Sequence, residues 1–198
     1  MREFILLSLK GKTSPDFNLE DLPGAGRIDL VCRTVSNILF ISNALRRDTI
    51  VHISLNGPKS PPKMITFNGD ELKGVEPDER SIATVIKTAL KHSANLQQDE
   101  EKEVSPGVFI SNKSFERLVK EKSKRCQLIY LHPKGEDIRE AKFEENFLVI
   151  FGDYIGLPKN TEKLIERLGA KKISIGPIML FASHCPVIIH NELDRRLQ

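Results

Sequence analysis

The sequence predicts an α/β fold built on a mostly parallel sheet with helices on both faces. Two patterns carry that prediction. REFILLSL, TIVHISL, CQLIYLHP and FLVIFGD are apolar almost throughout, as strands buried on both faces are, whereas one-sided strands alternate. Between such runs lie segments whose apolar residues recur at three- and four-residue spacing, the period of a helix packed on a sheet. The 198 residues, 39% of them hydrophobic, suffice for one domain with its own core.

Taken in order, REFILLSL is a strand, and a polar Gly/Pro-containing stretch runs from Lys10 to Gly26. A helix follows, marked by Ile28, Val31, Val35, Leu39 and Ser42. TIVHISL and KMITFNG are strands joined by NGPKSPP, whose Asn-Gly and prolines interrupt regular structure. Pro77-Asp78 opens a helix with Ile82, Val85, Ile86, Ala89 and Leu90 on one face. NLQQDEEKE, residues 95–103, reads as a loop or frayed helix end between two halves. GVFIS is a short strand, and Ser114 to Lys124 a helix with Phe115, Leu118 and Val119 inward. CQLIYLHP is a buried strand ending at its proline, and FLVIFGD is another. After the loop YIGLPKN comes the helix TEKLIERLG, closed by Gly169. KKISIGP is the last strand, followed by the loop IMLFAS and a helix around HCPVIIHNELDRR.

Composition excludes several classes. Cys32, Cys126 and Cys185 form no C-x-x-C pair and cannot all pair with one another, which argues against a disulfide scaffold or zinc ribbon and for a reducing, cytoplasmic setting. No apolar run nears the roughly 18 residues of a membrane helix, and MREFILLSLKGK lacks the features of a signal peptide. Thirty basic residues nearly cancel twenty-seven acidic ones, for a net charge of +3, so composition alone does not demand a nucleic-acid partner. Placement matters more than the total.

Three loops, HPKGEDI, GDYIGLP and GPIMLFASHC, follow the carboxyl ends of apolar strands, the edge where open α/β sheets bind ligands. Neither GxGxxG nor a P-loop is present, so a small-molecule site there would use neither standard phosphate cradle. His184, Cys185, His190 and the distant His132 lack the acidic partner and spacing of a metal site, and no metal is expected. Arg27, Arg33, Arg46 and Arg47 bracket the first helix, and Arg80 opens the second. Asp29 and Arg33 share a helix face at i, i+4. They read either as a solvated ion pair or as part of a site in which arginines bind phosphate or a base while Asp29 orients an arginine or accepts a proton. Lys113, Arg117, Lys120, Lys122, Lys124 and Arg125 form a second basic stretch, either a wet helix face or a guide for phosphates.

FLVIFGDYIGLP, KKISIGPIMLFASHC and VIIHNELDRR resemble the C-terminal half of the SPOUT superfamily of RNA methyltransferases. DLPGAGRIDLVCRTVSNILFISNALRRDTIVHISLNG resembles the archaeal tRNA pseudouridine N1-methyltransferases within it, so the likeness covers essentially the whole chain. The resemblance implies a single domain over 1–198 with an RNA-facing N-terminal half. Residues from about 126 to 198 would then form a deep trefoil knot holding S-adenosylmethionine (SAM). It implies a cofactor pocket from Leu131, from Gly152 with Asp153 and residues 155–157, from Ile175, Gly176, Pro177, Ile178, Met179 and Leu180, and from Cys185. The activity implied is N1-methylation of pseudouridine 54 in the T-loop of tRNA. A pseudouridine of small-subunit ribosomal RNA, or silent RNA binding in ribosome assembly, are the alternatives. Arg33 and Asp29 are the catalytic candidates, with Asp153 the rival base, and Arg27, Arg33, Arg46 and Arg47 the RNA contacts. A homodimer is implied too, and Val187, Ile188, Ile189 and Leu193 give the last helix apolar surface for it.

Overall fold

Strand β1 (Arg2–Ser8) lies at the heart of the sheet because both of its faces are greasy. Phe4 and Leu6 point one way and Ile5 and Leu7 the other, none more than 1% exposed. In the computed structural model, which describes residues 1–98 and 100–197, β1 is flanked by β4 (Thr49–Leu55) and β9 (Phe147–Gly152), both parallel to it. Beyond β9 come β8 (Gln127–Asp137) and β10 (Lys171–Ser174), also parallel. Beyond β4 come β5 (Lys63–Asn68), β7 (Val108–Ser111) and β6 (Glu101–Ser105), all antiparallel. The eight-stranded order is β10-β8-β9-β1-β4-β5-β7-β6. A two-stranded hairpin, β2 (Phe40–Ile41) and β3 (Ala44–Leu45), stands apart.

Helices cover both faces. α1 (Ile28–Leu39), α2 (Glu79–Lys91) and α5 (Cys185–Arg195) pack against Phe4, Leu6, Val51 and Val149. α3 (Phe115–Lys122) and α4 (Lys159–Arg167) pack against Ile5, Leu7, Leu148 and Ile150 on the other side. Two helix starts obey side-chain chemistry: Asp78 accepts from the Ser81 amide at 2.9 Å and Ser114 from the Arg117 amide at 3.2 Å.

Several boundaries differ from expectation: β10 ends at Ser174, leaving Ile175, Gly176 and Pro177 to the loop, and α3 ends at Lys122. α1 stops at Leu39, and Ser42 falls in the β2–β3 turn, where Asn43 takes a positive φ of 62°. Glu101, Lys102 and Glu103 are not loop but part of edge strand β6. An exposed edge tolerates charges and hides the apolar signature of a strand; Asp99, in the same stretch, lies outside the described residues. Pro133 does not end β8. Pairing with β10 jumps from Lys172↔Tyr130 to Ile173↔Glu136, so residues 131–135 bulge out, and a proline is harmless where no ladder amide is needed. α4 begins at Lys159, two residues before TEKLIERLG, with Pro158 as its N-cap residue. No described helix is long and apolar enough to cross a membrane.

Candidate active site

The bulge in β8, the loop after β9 and the loop after β10 converge at the carboxyl ends of three neighbouring parallel strands. Between them is a cavity of about 750 Å³, walled by Leu131, Gly152, Met179, Leu180 and Cys185. An adjoining lobe of about 170 Å³ adds Ile175, Gly176, Pro177 and Ile178 to shared walls. These nine residues, with Asp153 and residues 155–157 that were anticipated beside them, therefore meet at one place. The volume is that of a small-molecule site.

Backbone proximity shapes the floor. A Cβ on Gly152 would sit 2.4 Å from the carbonyl carbon of Gly156, so only glycine lets the two loop segments touch. Gly156 itself has φ of +83°. Asp153 is buried and ties the loop down: its Oδ2 accepts from the Leu9 amide at 3.0 Å and its Oδ1 from the Ile155 amide at 2.9 Å. With an amide donor on each oxygen, it serves as a brace. Cys185 donates to the Phe181 carbonyl at 3.4 Å, and burial pushes its thiol up to about 11. It is a wall, not a nucleophile.

The arginine candidates divide. Arg27 sits in the left-handed region at φ 68°, right after Gly26 at φ 75°. Such a conformation is uncommon outside glycine and is held only where surroundings enforce it. It swings the guanidinium back onto Asp29, with Nε–Oδ1 2.9 Å and Nη2–Oδ2 3.0 Å. Arg33 bonds the same Oδ2 and lies 3.6 Å from Glu79. The Asp29 side chain is 8% exposed while the two arginines stay about two-fifths exposed. Burial works to raise the Asp29 carboxyl, but the Arg27 bonds and charge, with Arg33, hold it below its ordinary value. Arg27 also lies over Tyr154, 5.5 Å from the ring centre, and Tyr154 lines the cavity. The pair therefore stands at the rim of its own chain's pocket.

Arg46 and Arg47 lie elsewhere. They precede β4 at the amino edge of the sheet, and a seven-residue strand such as β1 separates the two edges by about 23 Å. Arg46 grips Asp194 at 2.7 and 3.2 Å. Arg47 donates to the Gly69 and Asp70 carbonyls at 3.0 and 2.8 Å. Both guanidiniums are engaged by groups of the fold itself, Arg46 half-buried and Arg47 exposed. Arg80 pairs with Glu20.

Sequence reasoning overlooked Tyr154, Phe181 and His132 on the cavity wall. Tyr154 had one signal, an aromatic residue between Asp153 and Ile155 in a loop after a buried strand. Among the described residues there is no group of three His, Cys, Asp or Glu able to hold a metal ion.

Comparison with known proteins identifies the family. Residues 1–197 match a family described as "Putative SAM-dependent RNA methyltransferase". The chain is 44% identical to the tRNA (pseudouridine(54)-N(1))-methyltransferase of Methanocaldococcus jannaschii, covering 99% of this chain and 98% of that protein. It is also 44% identical to the enzyme of that name from Methanococcoides burtonii, over 100% and 98%. Among solved structures, Archaeoglobus fulgidus Nep1 bound to S-adenosylhomocysteine shares the fold with a TM-score of 0.64 at 13% identity, covering 99% of each chain. The chain belongs to the family of SAM-dependent RNA methyltransferases.

Proposed function

We propose that this chain methylates N1 of pseudouridine 54 in the T-loop of tRNA, with SAM as donor. The observation that carries the proposal is the juxtaposition of a three-loop cavity with a buried carboxylate that holds two half-exposed arginines, one of which, Arg27, lies over Tyr154 on the cavity wall. The cavity fits the donor: Leu131, Leu157 and Leu180 offer apolar walls for an adenine, and the Gly152–Gly156 contact leaves backbone at the surface. Bound SAM supplies a methyl group made electrophilic by its sulfonium.

Pseudouridine is joined to its ribose through carbon, so N1 carries a proton that uridine lacks there. Transfer forms the N1–C bond as the S–C bond breaks, the N1 proton leaves to a base or water, and S-adenosylhomocysteine departs. Negative charge spreads onto the ring oxygens as the proton leaves. Arg27 and Arg33 stabilise that charge and anchor the neighbouring phosphate. Asp29, held low by those same arginines, is a poor proton acceptor and acts by positioning them. With Asp153 braced by two amides, the proton passes to water.

Three further features belong to this reading. Residues 126–198 form the knotted, donor-holding part of a single domain, with the N-terminal half facing RNA. The protein acts in the cytoplasm. It acts as a homodimer, because Ile178, Met179 and Phe181 are 70–81% exposed beside the half-exposed Val187 and Ile188 of α5. That much exposed apolar surface on one loop and the helix that follows it calls for a covering partner.

Tritiated SAM offered with tRNA carrying pseudouridine 54, and with the same tRNA carrying uridine, tests the activity. Label only in the first is expected. Label in neither, or in ribosomal RNA instead, overturns it.

A further inference from the structure

We propose that the face built by α3 and α4 is a docking surface for the phosphate backbone of RNA, separate from the pocket that takes the target base. Residues 113–125 carry six cations against two carboxylates, and residues 159–172 five against two. Together they hold +7 in a chain whose total is +3, which leaves −4 on all remaining residues. These segments are remote in sequence, and the fold lays them on one side of the sheet. Phe115, Leu118 and Val119 of α3 and Ile165 of α4 enter the same core, so both helices turn their charged sides to solvent.

Ion pairing does not neutralise this face. Glu121 is taken up by Lys113 and Arg117, Glu166 by Lys172 at 2.7 Å, and Lys122 is drawn inward to Glu3 at 2.5 Å. Lys120, Lys124, Arg125, Lys159, Lys163, Arg167 and Lys171 are exposed and make no ion pair among the described residues. Within the two segments, the carboxylates left to oppose them are Glu116 and Glu162. A face serving only solubility intersperses both signs; segregation of one sign is what attracts a polyanion.

Position links this face to the pocket. α4 starts directly after the loop that walls the cavity, and its Glu162 lines that cavity. From there its nine residues run about 14 Å to Arg167, with Lys171 at the start of β10 beyond. Lys124 and Arg125 lead into β8 at the same edge. Lysine predominates, and lysine meets phosphate as a point charge without reading bases. The surface therefore supplies affinity for the body of the RNA, not choice of the target base.

This inference rests on the reading of RNA as substrate, and its test separates the two. Binding of full-length tRNA is measured across about 50 to 200 mM salt for wild type and for Lys163→Gln/Arg167→Gln/Lys171→Gln. A charge-matched control, Lys73→Gln/Lys91→Gln/Lys102→Gln, changes exposed lysines elsewhere. The α4-face variant should bind about tenfold more weakly, with the slope of log K against log salt shallower by about two to three, while the control stays near wild type. The same variant should methylate an isolated T-arm stem-loop, too short to reach this face, at the wild-type rate. Unchanged tRNA affinity and slope, or equal loss in the control, overturns the docking surface. If wild type binds tRNA but never methylates it, the enzymatic reading fails, and the binding comparison still decides the surface.

Discussion

The guanidinium of Arg27 stands 5.5 Å above the ring of Tyr154, joining the start of α1 to the loop after β9. Arg27 is fixed from behind by Asp29, so the aromatic ring is braced although 55% of its residue surface is exposed. A braced, exposed ring at the mouth of a pocket is a platform for a base. Tyr154→Ala should lower kcat/KM for tRNA about tenfold, the smaller end of base-stacking effects of ~1–3 kcal/mol. Tyr154→Phe should restore most of it. Equal, unimpaired kinetics in both variants removes the platform.

Asp29→Asn keeps the shape and removes the charge that holds two arginines. Loss of their alignment by about an ångström should slow methyl transfer about a hundredfold, with affinity for S-adenosylhomocysteine within about threefold of wild type, since the arginines and not the cavity floor lose their anchor. Single-turnover rates alongside calorimetric affinities check this. A variant that transfers methyl at the wild-type rate takes Asp29 out of the mechanism.

Gly152→Ala forces a methyl group into the Gly156 backbone, and no flexible side chain is there to yield. The loop after β9 must shift, so donor affinity should fall more than tenfold while the circular dichroism of the sheet and helices persists. Retained affinity would show that this close approach does not shape the pocket.

His190 is buried against Phe4 with its Nδ1 3.1 Å from Arg2. Burial, then the Arg46 and Arg2 charges, push it down to about 3 from 6.5. The unfolded chain takes up a proton there below about pH 6.5, but the folded chain does not until about pH 3. Between those values the unfolded state holds more protons, so stability falls as pH falls, by up to about 1.4 kcal/mol per pH unit from this group. Buried His52 adds in the same direction, and Glu3, held at about 2, adds to the loss below pH 4.5. In urea titrations between pH 6.5 and 4.5, His190→Gln should flatten the pH slope by about one proton's worth. An unaltered slope would mean that His190 already carries its proton in the native state.

Strands buried on both faces were legible because continuous apolar runs have few other uses, and the ligand edge followed from which loops succeed them. The individual cavity residues, from Leu131 to Cys185, came from the family resemblance; the pattern itself pointed only to the three loops that carry them. Edge strand β6 was illegible because its first three side chains face water, and Pro133 misled because the bulge that excuses it depends on pairing with β10. The arginines bracketing α1 looked alike in sequence. Only the fold separates Arg27 and Arg33, at the carboxyl edge, from Arg46 and Arg47, which close contacts with Asp194 and the 69–70 backbone. The basic stretch near Arg117 was visible, but its union with α4 is tertiary.

Titration calorimetry with S-adenosylhomocysteine tests most directly whether the three loops form a donor pocket. Wild type should take up one molecule per chain, and Gly152→Ala should weaken that uptake more than tenfold. No saturable heat with the wild-type protein would contradict the account at its root.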